Sequence, residues 1–146
     1  MQLVKGNLWY WHGLGKHVGI TTNADINRRQ ELVMGRGVAL EAKRRFPDLA
    51  VTLANHVIHH GNVPCYVAKD RLFTVPVKQH YLAKAEISII LRSLSILDEI
   101  LVTLVISEVY IPMPGCGAGG LKREDVLPVI EAARYSDRIL ITEIFL

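Results

Sequence analysis

The sequence predicts an α/β fold in which helices cover a mixed β-sheet. Short apolar segments alternate along the chain with segments of helical periodicity, a pattern typical of strands and helices packed in layers. The clearest helix covers residues 84–104, where aliphatic side chains from Ile87 to Leu104 recur at spacings of three and four. Half of the 146 residues are hydrophobic, so we expect one domain with its own core, spanning residues 1–146.

The first half of the chain predicts three strands followed by two helices. The strands cover residues 2–5, 8–11 and 17–22, with a turn at Gly6 and Asn7 between the first two, and Trp9 and Trp11 would share one strand face. A polar loop, residues 24–31, comes next. A helix follows around residues 38–46 and is stopped by Pro47, and Asp48 would cap a second helix that runs to His60 and ends at Gly61.

The second half predicts four strands and two helices. Strands at residues 64–69 and 72–77 flank a turn at Asp70, and the long helix 84–104 follows them. A buried strand at 105–112 then leads into a glycine-rich loop. The last helix runs from about 121 to 134, with Glu124 and Asp125 in its first turn near its positive end, and an apolar strand at 139–145 closes the chain.

Composition excludes several classes of protein. The net charge of +3 is compatible with an anionic ligand but is too small to indicate nucleic-acid binding alone. The two cysteines, Cys65 and Cys116, are too few for a secreted disulfide framework, and the N-terminus lacks the features of a signal peptide, so we expect a cytoplasmic protein. The most apolar region, residues 87–111, is interrupted by four charged residues, which argues against a membrane span.

Two glycine-rich segments share one design, an apolar run followed by glycines and a helix start. We call residues 34–39 the first glycine segment and residues 115–121 the second. Free N–H groups at a helix start favour anions, and glycine lets a ligand approach the main chain closely. On neighbouring loops the two segments would form a clamp for a diphosphate; equally, they would be tight turns that pack helices on strands.

The second glycine segment also matches a dinucleotide-binding fingerprint, Gly115-x-Gly117-x-x-Gly120, with Glu143 about 20 residues further on. We reject this interpretation because only three residues follow Glu143, which leaves no chain for the further βαβ units that such a fold requires.

Lys78 and His80 follow a predicted strand and are the main titratable candidates. Lys78 would be a surface residue with a buried stem, a nucleophile if its amine is neutral, or a cation that stabilises negative charge. His56, His59 and His60 lie on one side of a predicted helix, but no cysteine or carboxylate completes a metal site, so we expect no metal. Cys116 would be a nucleophile at a helix start or, more simply, a small packing residue.

Five stretches together resemble the macrodomain family of ADP-ribose-binding modules, in order and over nearly the whole chain. They are "LVKGNL", "ITTNAD", "VMGRGVALEAKRRFP", "FTVPVKQH" and "IPMPGCGAGGLKREDVLPVIE". The third, with its Met-Gly-x-Gly-x-Ala signature, resembles the branch that contains the terminal ADP-ribose protein glycohydrolase and the DarG-type DNA ADP-ribosylglycohydrolase antitoxins. The resemblance implies a three-layer α/β/α fold with a central mixed sheet and a reaction that needs no cofactor or metal.

The resemblance also implies the roles of individual residues. Lys78 maps onto the catalytic lysine of the branch, and His80 would orient it or transfer a proton. Asn7, where most members carry aspartate, and Leu8 would meet adenine, with Phe145 or Ile144 as an apolar wall. The remaining implied contacts with ADP-ribose are Thr22, Asn23, Met34, Gly35, Arg36, Gly37, Val38, Ala39, Pro114, Gly115, Cys116, Gly117, Ala118, Gly119, Gly120 and Leu121.

Within the branch, the residue at the position of Gly119 differs between members that act on two different substrates. The protein glycohydrolases carry aspartate at this position, whereas the DarG-like form carries glycine, so the resemblance implies ADP-ribosylated DNA rather than a glutamate-linked protein. We therefore expect an ADP-ribosyl hydrolase whose partner is ADP-ribose or an ADP-ribosylated macromolecule. A binding module without turnover and a phosphatase acting on ADP-ribose 1″-phosphate are the alternatives. The sequence specifies no oligomeric state.

Overall fold

A computed structural model describes residues 1–143 of the chain. The strands are β1 (Gln2–Lys5), β2 (His17–Thr22), β3 (Tyr66–Val67), β4 (Leu72–Pro76), β5 (Val109–Pro112) and β6 (Ile139–Glu143). The helices are α1 (Leu8–Gly13), α2 (Gly37–Arg45), α3 (Leu49–His60), α4 (Ile87–Thr103) and α5 (Arg123–Ala132), and a single 3₁₀ turn covers Ala68–Asp70.

The strands form one six-stranded sheet in the order β1-β6-β5-β2-β4-β3. All neighbouring pairs are parallel except β3 and β4, which are antiparallel, so the sheet is mixed. Because β1, β6, β5, β2 and β4 run in the same direction, the loops that follow them emerge at one edge of the sheet. In open α/β sheets ligands bind at this carboxyl edge.

Alternating side chains divide the core into two apolar layers. Val18, Ile20, Leu72 and Leu140 face a cluster that includes residues of α1, α2 and α3. The intervening strand positions face the second cluster, which includes residues of α4 and α5; they include Phe73, Val75, Val109, Ile111, Ile139 and Ile141. The predicted three-layer α/β/α architecture is confirmed, since each face of the sheet buries the apolar stripe of its own helices.

Gly19 in β2 shows how tightly the central strands pack. A Cβ at this position would lie 2.5 Å from Ile111 Cγ2 and 3.1 Å from Val75 Cγ2, so the two neighbouring side chains fill the space above the glycine. The close approach of the side chains of β4 and β5 therefore requires a residue without a side chain in the strand between them.

The prediction of a strand at residues 8–11 was wrong, because these residues form helix α1. Asn7 caps this helix: its Oδ1 accepts a hydrogen bond of 2.8 Å from the Trp9 backbone N–H. Leu8 and Trp9 are buried against the sheet, whereas Tyr10 is exposed. In a run this short, aromatic residues and apolar alternation do not distinguish a strand from a capped helix.

Other predicted boundaries were too wide. The strand expected at 64–69 is only the two-residue β3, followed by the 3₁₀ turn. The strand expected at 105–112 begins at Val109, since Val105, just after α4, has a φ of 55°, which is not strand backbone. The helices expected at 84–104 and 121–134 are shorter than predicted at both ends. The strand expected at 139–145 is described to Glu143, and Ile144 and Phe145 lie outside the described residues.

Asp48 does not cap α3 with its side chain, although the helix begins at the next residue as expected. Its backbone is already helical, with φ −88° and ψ −5°, whereas a capping side chain needs extended backbone to reach the first amides. Its carboxylate instead lies 3.6 Å from the Lys69 ammonium. Gly61 ends α3 with a φ of 83°, as predicted. Among residues 1–143, no helix is long and apolar enough to cross a bilayer.

Candidate functional site

A cavity of about 180 Å³ opens at the carboxyl edge of the sheet, where the loops after β2, β4 and β5 meet. Its walls are mostly apolar and glycine residues. Two of the lining residues, Arg36 and Lys78, carry a positive charge, and none is an aspartate or glutamate. The lining residues are Thr21, Thr22, Asn23, Val33, Met34, Gly35, Arg36, Gly37, Val38, Ala39, Val77, Lys78, Tyr81, Pro112, Met113, Gly115, Gly117, Ala118 and Gly119.

The first glycine segment forms one wall and leads into α2. Met34 anchors it in the core with 2% of its surface exposed, while Arg36 remains exposed. Gly37 starts the helix with a φ of 57°, and no side chain among the described residues caps this start. The first amides of a helix have no partner within it. The uncapped start of α2 therefore provides N–H donors and partial positive charge at the cavity wall.

The second glycine segment forms the opposite wall as a series of tight turns. Its own backbone holds it together: Gly120 N–H donates to Gly117 O at 3.1 Å and Leu121 N–H donates to Gly115 O at 2.9 Å. The positive φ of Gly115, 80°, would strain any other residue. At Gly119 a Cβ would lie 2.6 Å from Gly115 O, so this position has no room for a side chain.

Lys78 lies where the loop after β4 meets the second glycine segment. It is buried, with 7% of its surface exposed. Its Nζ donates to three backbone carbonyl oxygens, Tyr81 O at 3.0 Å, Ala83 O at 3.2 Å and Ala118 O at 3.4 Å. Burial lowers the pKa of Lys78, and the nearby charge of Arg36 lowers it further. The three acceptors match the three N–H bonds of an ammonium, so the resting geometry suits the charged form.

Residues 79–83 form a loop at the cavity mouth, which we call the 79–83 loop. Asp25 fixes it from outside: its Oδ2 accepts from Tyr81 N–H at 2.8 Å and its Oδ1 lies 3.2 Å from His80 Nδ1. The Tyr81 hydrogen bond, followed by that of His80, lowers the pKa of Asp25. Lys78 holds the same loop from inside, through the carbonyls of Tyr81 and Ala83.

Asn23 braces the loop after β2 rather than pointing a free amide into the cavity. Its Nδ2 donates to Val33 O at 3.0 Å, and its Oδ1 accepts from Asp25 N–H at 2.9 Å. Thr22 joins the ends of two strands, since its carbonyl accepts from Val77 N–H at 3.0 Å. Both residues line the cavity, and their polar groups shape its floor.

Several residues expected at the ligand do not line this cavity, namely Asn7, Leu8, His80, Pro114, Cys116, Gly120 and Leu121, and Phe145 lies outside the described residues. Leu8 is buried in the core and Asn7 Oδ1 is engaged as a helix cap. Burial and then the charge of Glu143 raise the pKa of the Cys116 thiol, which favours the packing role over the nucleophile.

Two of the three histidines of α3 form hydrogen bonds with nearby backbone carbonyls. His56 Nε2 lies 3.2 Å from Val63 O, and His59 Nδ1 lies 2.8 Å from Asn55 O. Among residues 1–143, no group of three or more histidine, cysteine or acidic side chains is placed to hold a metal ion.

Comparison with known proteins connects this geometry to a family. The DNA ADP-ribosyl glycohydrolases of Mycobacterium bovis and Mycobacterium tuberculosis are 31% identical to this chain over 147 aligned residues, which cover 85% of the chain and 41% of each relative. The chain therefore spans less than half the length of these curated relatives. No protein-family model matches the chain.

Solved structures agree with this result. The macrodomain of Thermus aquaticus DarG is 25% identical with a TM-score of 0.69, and that of Mycobacterium tuberculosis DarG is 23% identical with a TM-score of 0.76; each alignment covers 97% of this chain and 95% of the other. The chain has the macrodomain fold. A Thermosipho africanus DarTG in complex with ADP-ribose is also similar, at 21% identity and a TM-score of 0.74, over 97% of this chain and 41% of that one.

Sequence reasoning missed some of the residues that shape the cavity of this macrodomain. Tyr81 lines it three residues after Lys78, and Asp25 fixes the 79–83 loop two residues after Asn23. Thr21, Val33, Val77, Pro112 and Met113 line it as well. All of them flank residues that the sequence singled out. A useful signal would have been adjacency to strand ends, since the loops that follow β2, β4 and β5 all contribute to the cavity.

Proposed function

We propose that this macrodomain binds ADP-ribose in the cavity between its glycine segments and hydrolyses the bond that joins ADP-ribose to DNA. One observation carries the proposal: a buried lysine ammonium lies in the cavity between two glycine-rich walls. The names of the mycobacterial relatives support the reaction, and the Thermosipho africanus complex supports the ligand. Both relatives extend well beyond this chain.

The walls suit a diphosphate. The uncapped start of α2 offers backbone N–H donors, and Gly35, Gly37 and Gly117 have no atom within 4 Å of where a Cβ would lie, so a ligand can approach their main chain. Arg36 adds a positive charge, and none of the described residues that line the cavity carries an acidic side chain that would repel an anion. Fixed donors and open backbone together form the anion-binding nest that a diphosphate requires.

The contacts of Lys78 favour an electrostatic or proton-donating role over nucleophilic attack. As an ammonium it has no lone pair, and its three carbonyl partners stabilise the charge. The Ala118 contact, at 3.4 Å, is the longest of the three and the easiest to exchange for a ligand atom. Lys78 would then give one N–H to the atom that leaves the distal ribose, where negative charge develops in the transition state.

The reaction consumes one water. The bond between the anomeric carbon of the distal ribose and the atom of the base that carries it breaks, and the electron pair of that bond stays with the base. The oxygen of water bonds to the anomeric carbon. Lys78 gives a proton to the base, and the proton that water loses returns to Lys78. The products are ADP-ribose and unmodified DNA. His80, which is exposed and paired with Asp25, would assist by holding the 79–83 loop.

The test compares two substrates in parallel. Wild-type protein is incubated with a thymidine-ADP-ribosylated single-stranded oligonucleotide and with a glutamate-ADP-ribosylated protein, and the release of ADP-ribose is measured. We expect release from the oligonucleotide. Lys78→Ala should lower the rate by about 100-fold or more, the usual cost of losing a charge-stabilising group in an active site.

Lys69→Ala is the matched control, because Lys69 is an exposed lysine that precedes β4, at the opposite edge of the sheet. Its rate should equal that of the wild type. Full activity of Lys78→Ala with unchanged ADP-ribose binding would refute the role of Lys78. A wild type that binds ADP-ribose and leaves both substrates intact would instead identify a binding module. The resting geometry allows that outcome, because every N–H of Lys78 is already occupied.

A further inference from the structure

Tyr81 is an aromatic residue at the cavity mouth whose backbone is fixed from two sides. Its N–H donates to Asp25 Oδ2 at 2.8 Å, and its carbonyl accepts from Lys78 Nζ at 3.0 Å. The rest of the loop is held too, because Ala83 N–H donates to His80 O at 3.0 Å and Ala24 N–H donates to Gln79 O at 2.9 Å. The ring thus projects from a backbone that is organised before any ligand binds.

The side chain of Tyr81 is half exposed, at 50%, although it lines the cavity. The next residue, Leu82, is also exposed, at 78%. A large aromatic ring that is fixed at its base and left open to solvent at a cavity mouth is available to a flat partner. The backbone carbonyl of Tyr81 binds Lys78 Nζ, so Tyr81 is also a direct neighbour of the group that we propose acts at the bond that breaks.

The charges around Tyr81 indicate which flat partner fits. Arg36 and Lys84 are exposed cations at this edge, and the Lys84 stem runs beside Gly120, its Cγ 3.8 Å from where a Cβ of Gly120 would lie. The acidic group nearest to the loop, Asp25, is already engaged by Tyr81 and His80. An exposed aromatic ring at a cavity edge that also carries exposed cations matches a nucleobase and its flanking phosphates.

We propose that Tyr81 is the stacking platform for the modified nucleobase and thereby determines specificity for nucleic acid. This inference rests on the proposed function. ADP-ribose fills the cavity, and the base to which it is attached stacks on the Tyr81 ring at the mouth. Lys84 contacts a phosphate next to that base, while Arg36 contributes its charge to the diphosphate in the cavity. Tyr81 makes no bond to the reacting atoms; it selects a planar leaving group and positions it next to Lys78.

The experiment separates binding of the base from binding of ADP-ribose. A fluorescein-labelled, thymidine-ADP-ribosylated oligonucleotide is titrated with protein, and its anisotropy is read in the first seconds after mixing. Free ADP-ribose is titrated by calorimetry, and an ADP-ribosylated glutamate peptide serves as the third ligand. Tyr81→Ala should weaken oligonucleotide binding by about tenfold, as expected for one lost base–aromatic stack, and weaken the binding of free ADP-ribose far less. Tyr81→Phe, which keeps the ring, should bind like the wild type.

Tyr10→Ala is the matched control, because Tyr10 is a tyrosine of similar exposure, 59%, on α1 and outside the cavity lining. Equal oligonucleotide affinities of Tyr81→Ala and Tyr10→Ala would overturn the inference. An equal loss with free ADP-ribose, or an equal loss with the glutamate peptide, would overturn it as well. These outcomes concern binding, so they are distinct from a failure of the proposed function, which would appear as a wild type that binds the oligonucleotide and never releases ADP-ribose.

Discussion

Lys78 Nζ donates a hydrogen bond of 3.4 Å to the carbonyl oxygen of Ala118, and this contact joins the loop after β4 to the second glycine segment. The same ammonium binds the carbonyls of Tyr81 and Ala83 in the 79–83 loop. One buried cation therefore links two loops that are 40 residues apart in sequence. Loss of its proton would therefore remove one of these three hydrogen bonds as well as the charge that the proposed chemistry uses.

The first prediction concerns pH. Burial and then Arg36 lower the pKa of Lys78, so the ammonium loses its proton at a lower pH than a free lysine does. If the ammonium acts in the reaction, the rate constant falls as pH rises through that lowered pKa. Arg36→Gln removes a like charge and should shift this alkaline limb to higher pH, whereas Arg44→Gln, at the far end of α2, should not. A rate that rises through the same range would indicate a neutral, nucleophilic amine.

The same shift has a consequence for stability with a definite sign. In the folded chain the charged form of Lys78 is less favourable than in the unfolded chain, so the unfolded state binds more protons between the lowered pKa and the ordinary value of 10.5. The free energy of unfolding attributable to Lys78 therefore rises with pH in that window. Chemical denaturation of wild type and Lys78→Met across this range measures it.

A second prediction concerns Gly119. A Cβ there would lie 2.6 Å from Gly115 O and 2.8 Å from Ala85 Cβ, so Gly119→Ala should displace the second glycine segment. We expect a loss of about 1 to 3 kcal/mol in the free energy of unfolding, as for other overpacked sites, and weaker ADP-ribose binding by calorimetry. Gly13→Ala is the control, since no atom lies within 4 Å of that Cβ. Unchanged stability and affinity of Gly119→Ala would contradict the described packing.

Asp25 supports a third prediction. Tyr81 N–H, followed by His80, lowers the pKa of its carboxyl group, so the stabilisation it provides is present above the ordinary value of 3.8 and is lost as pH falls through the lowered value. Asp25→Ala leaves Tyr81 N–H without its acceptor. Its amide should exchange with solvent about fivefold faster at neutral pH, as expected for one lost hydrogen bond of about 1 kcal/mol. Asp25→Asn keeps an oxygen acceptor and should show a smaller effect.

The fourth prediction tests the sheet. Gly19→Ala places a methyl group 2.5 Å from Ile111 Cγ2 in the fully buried layer between β4 and β5. The cost should be about 1 to 3 kcal/mol of unfolding free energy. The double variant Gly19→Ala with Ile111→Ala removes the colliding Cγ2, and a combined loss smaller than the sum of the two single losses would confirm that this contact is the cause. A neutral effect of Gly19→Ala alone would be inconsistent with the packing.

The sequence was sufficient for the layer architecture because periodic apolar patterns persist over long elements such as α4. It was also sufficient for the position of Lys78, since the residues after a parallel strand lie at the carboxyl edge. It was insufficient for residues 8–11, where a side-chain cap from Asn7 decides between strand and helix. A single capping hydrogen bond leaves no periodic pattern to detect.

The position of Tyr81 at the cavity mouth was also out of reach of sequence reasoning. Its position depends on Asp25, which is 56 residues earlier in the chain, and on three carbonyls gathered by Lys78. Long-range hydrogen bonds of this kind follow from tertiary structure alone. The residues that line the cavity were partly readable from local motifs, whereas the residues that hold its loops were not.

The burial of Lys78 has one further consequence, for chemical reactivity. It is buried, and its three N–H bonds are occupied, whereas the other lysines of the chain are exposed or partly exposed. Amine-selective acylating reagents should therefore modify Lys78 last, and only when the two loops separate. The acylation rate of this lysine, followed by peptide mass spectrometry, would then measure how often the cavity opens without any ligand present.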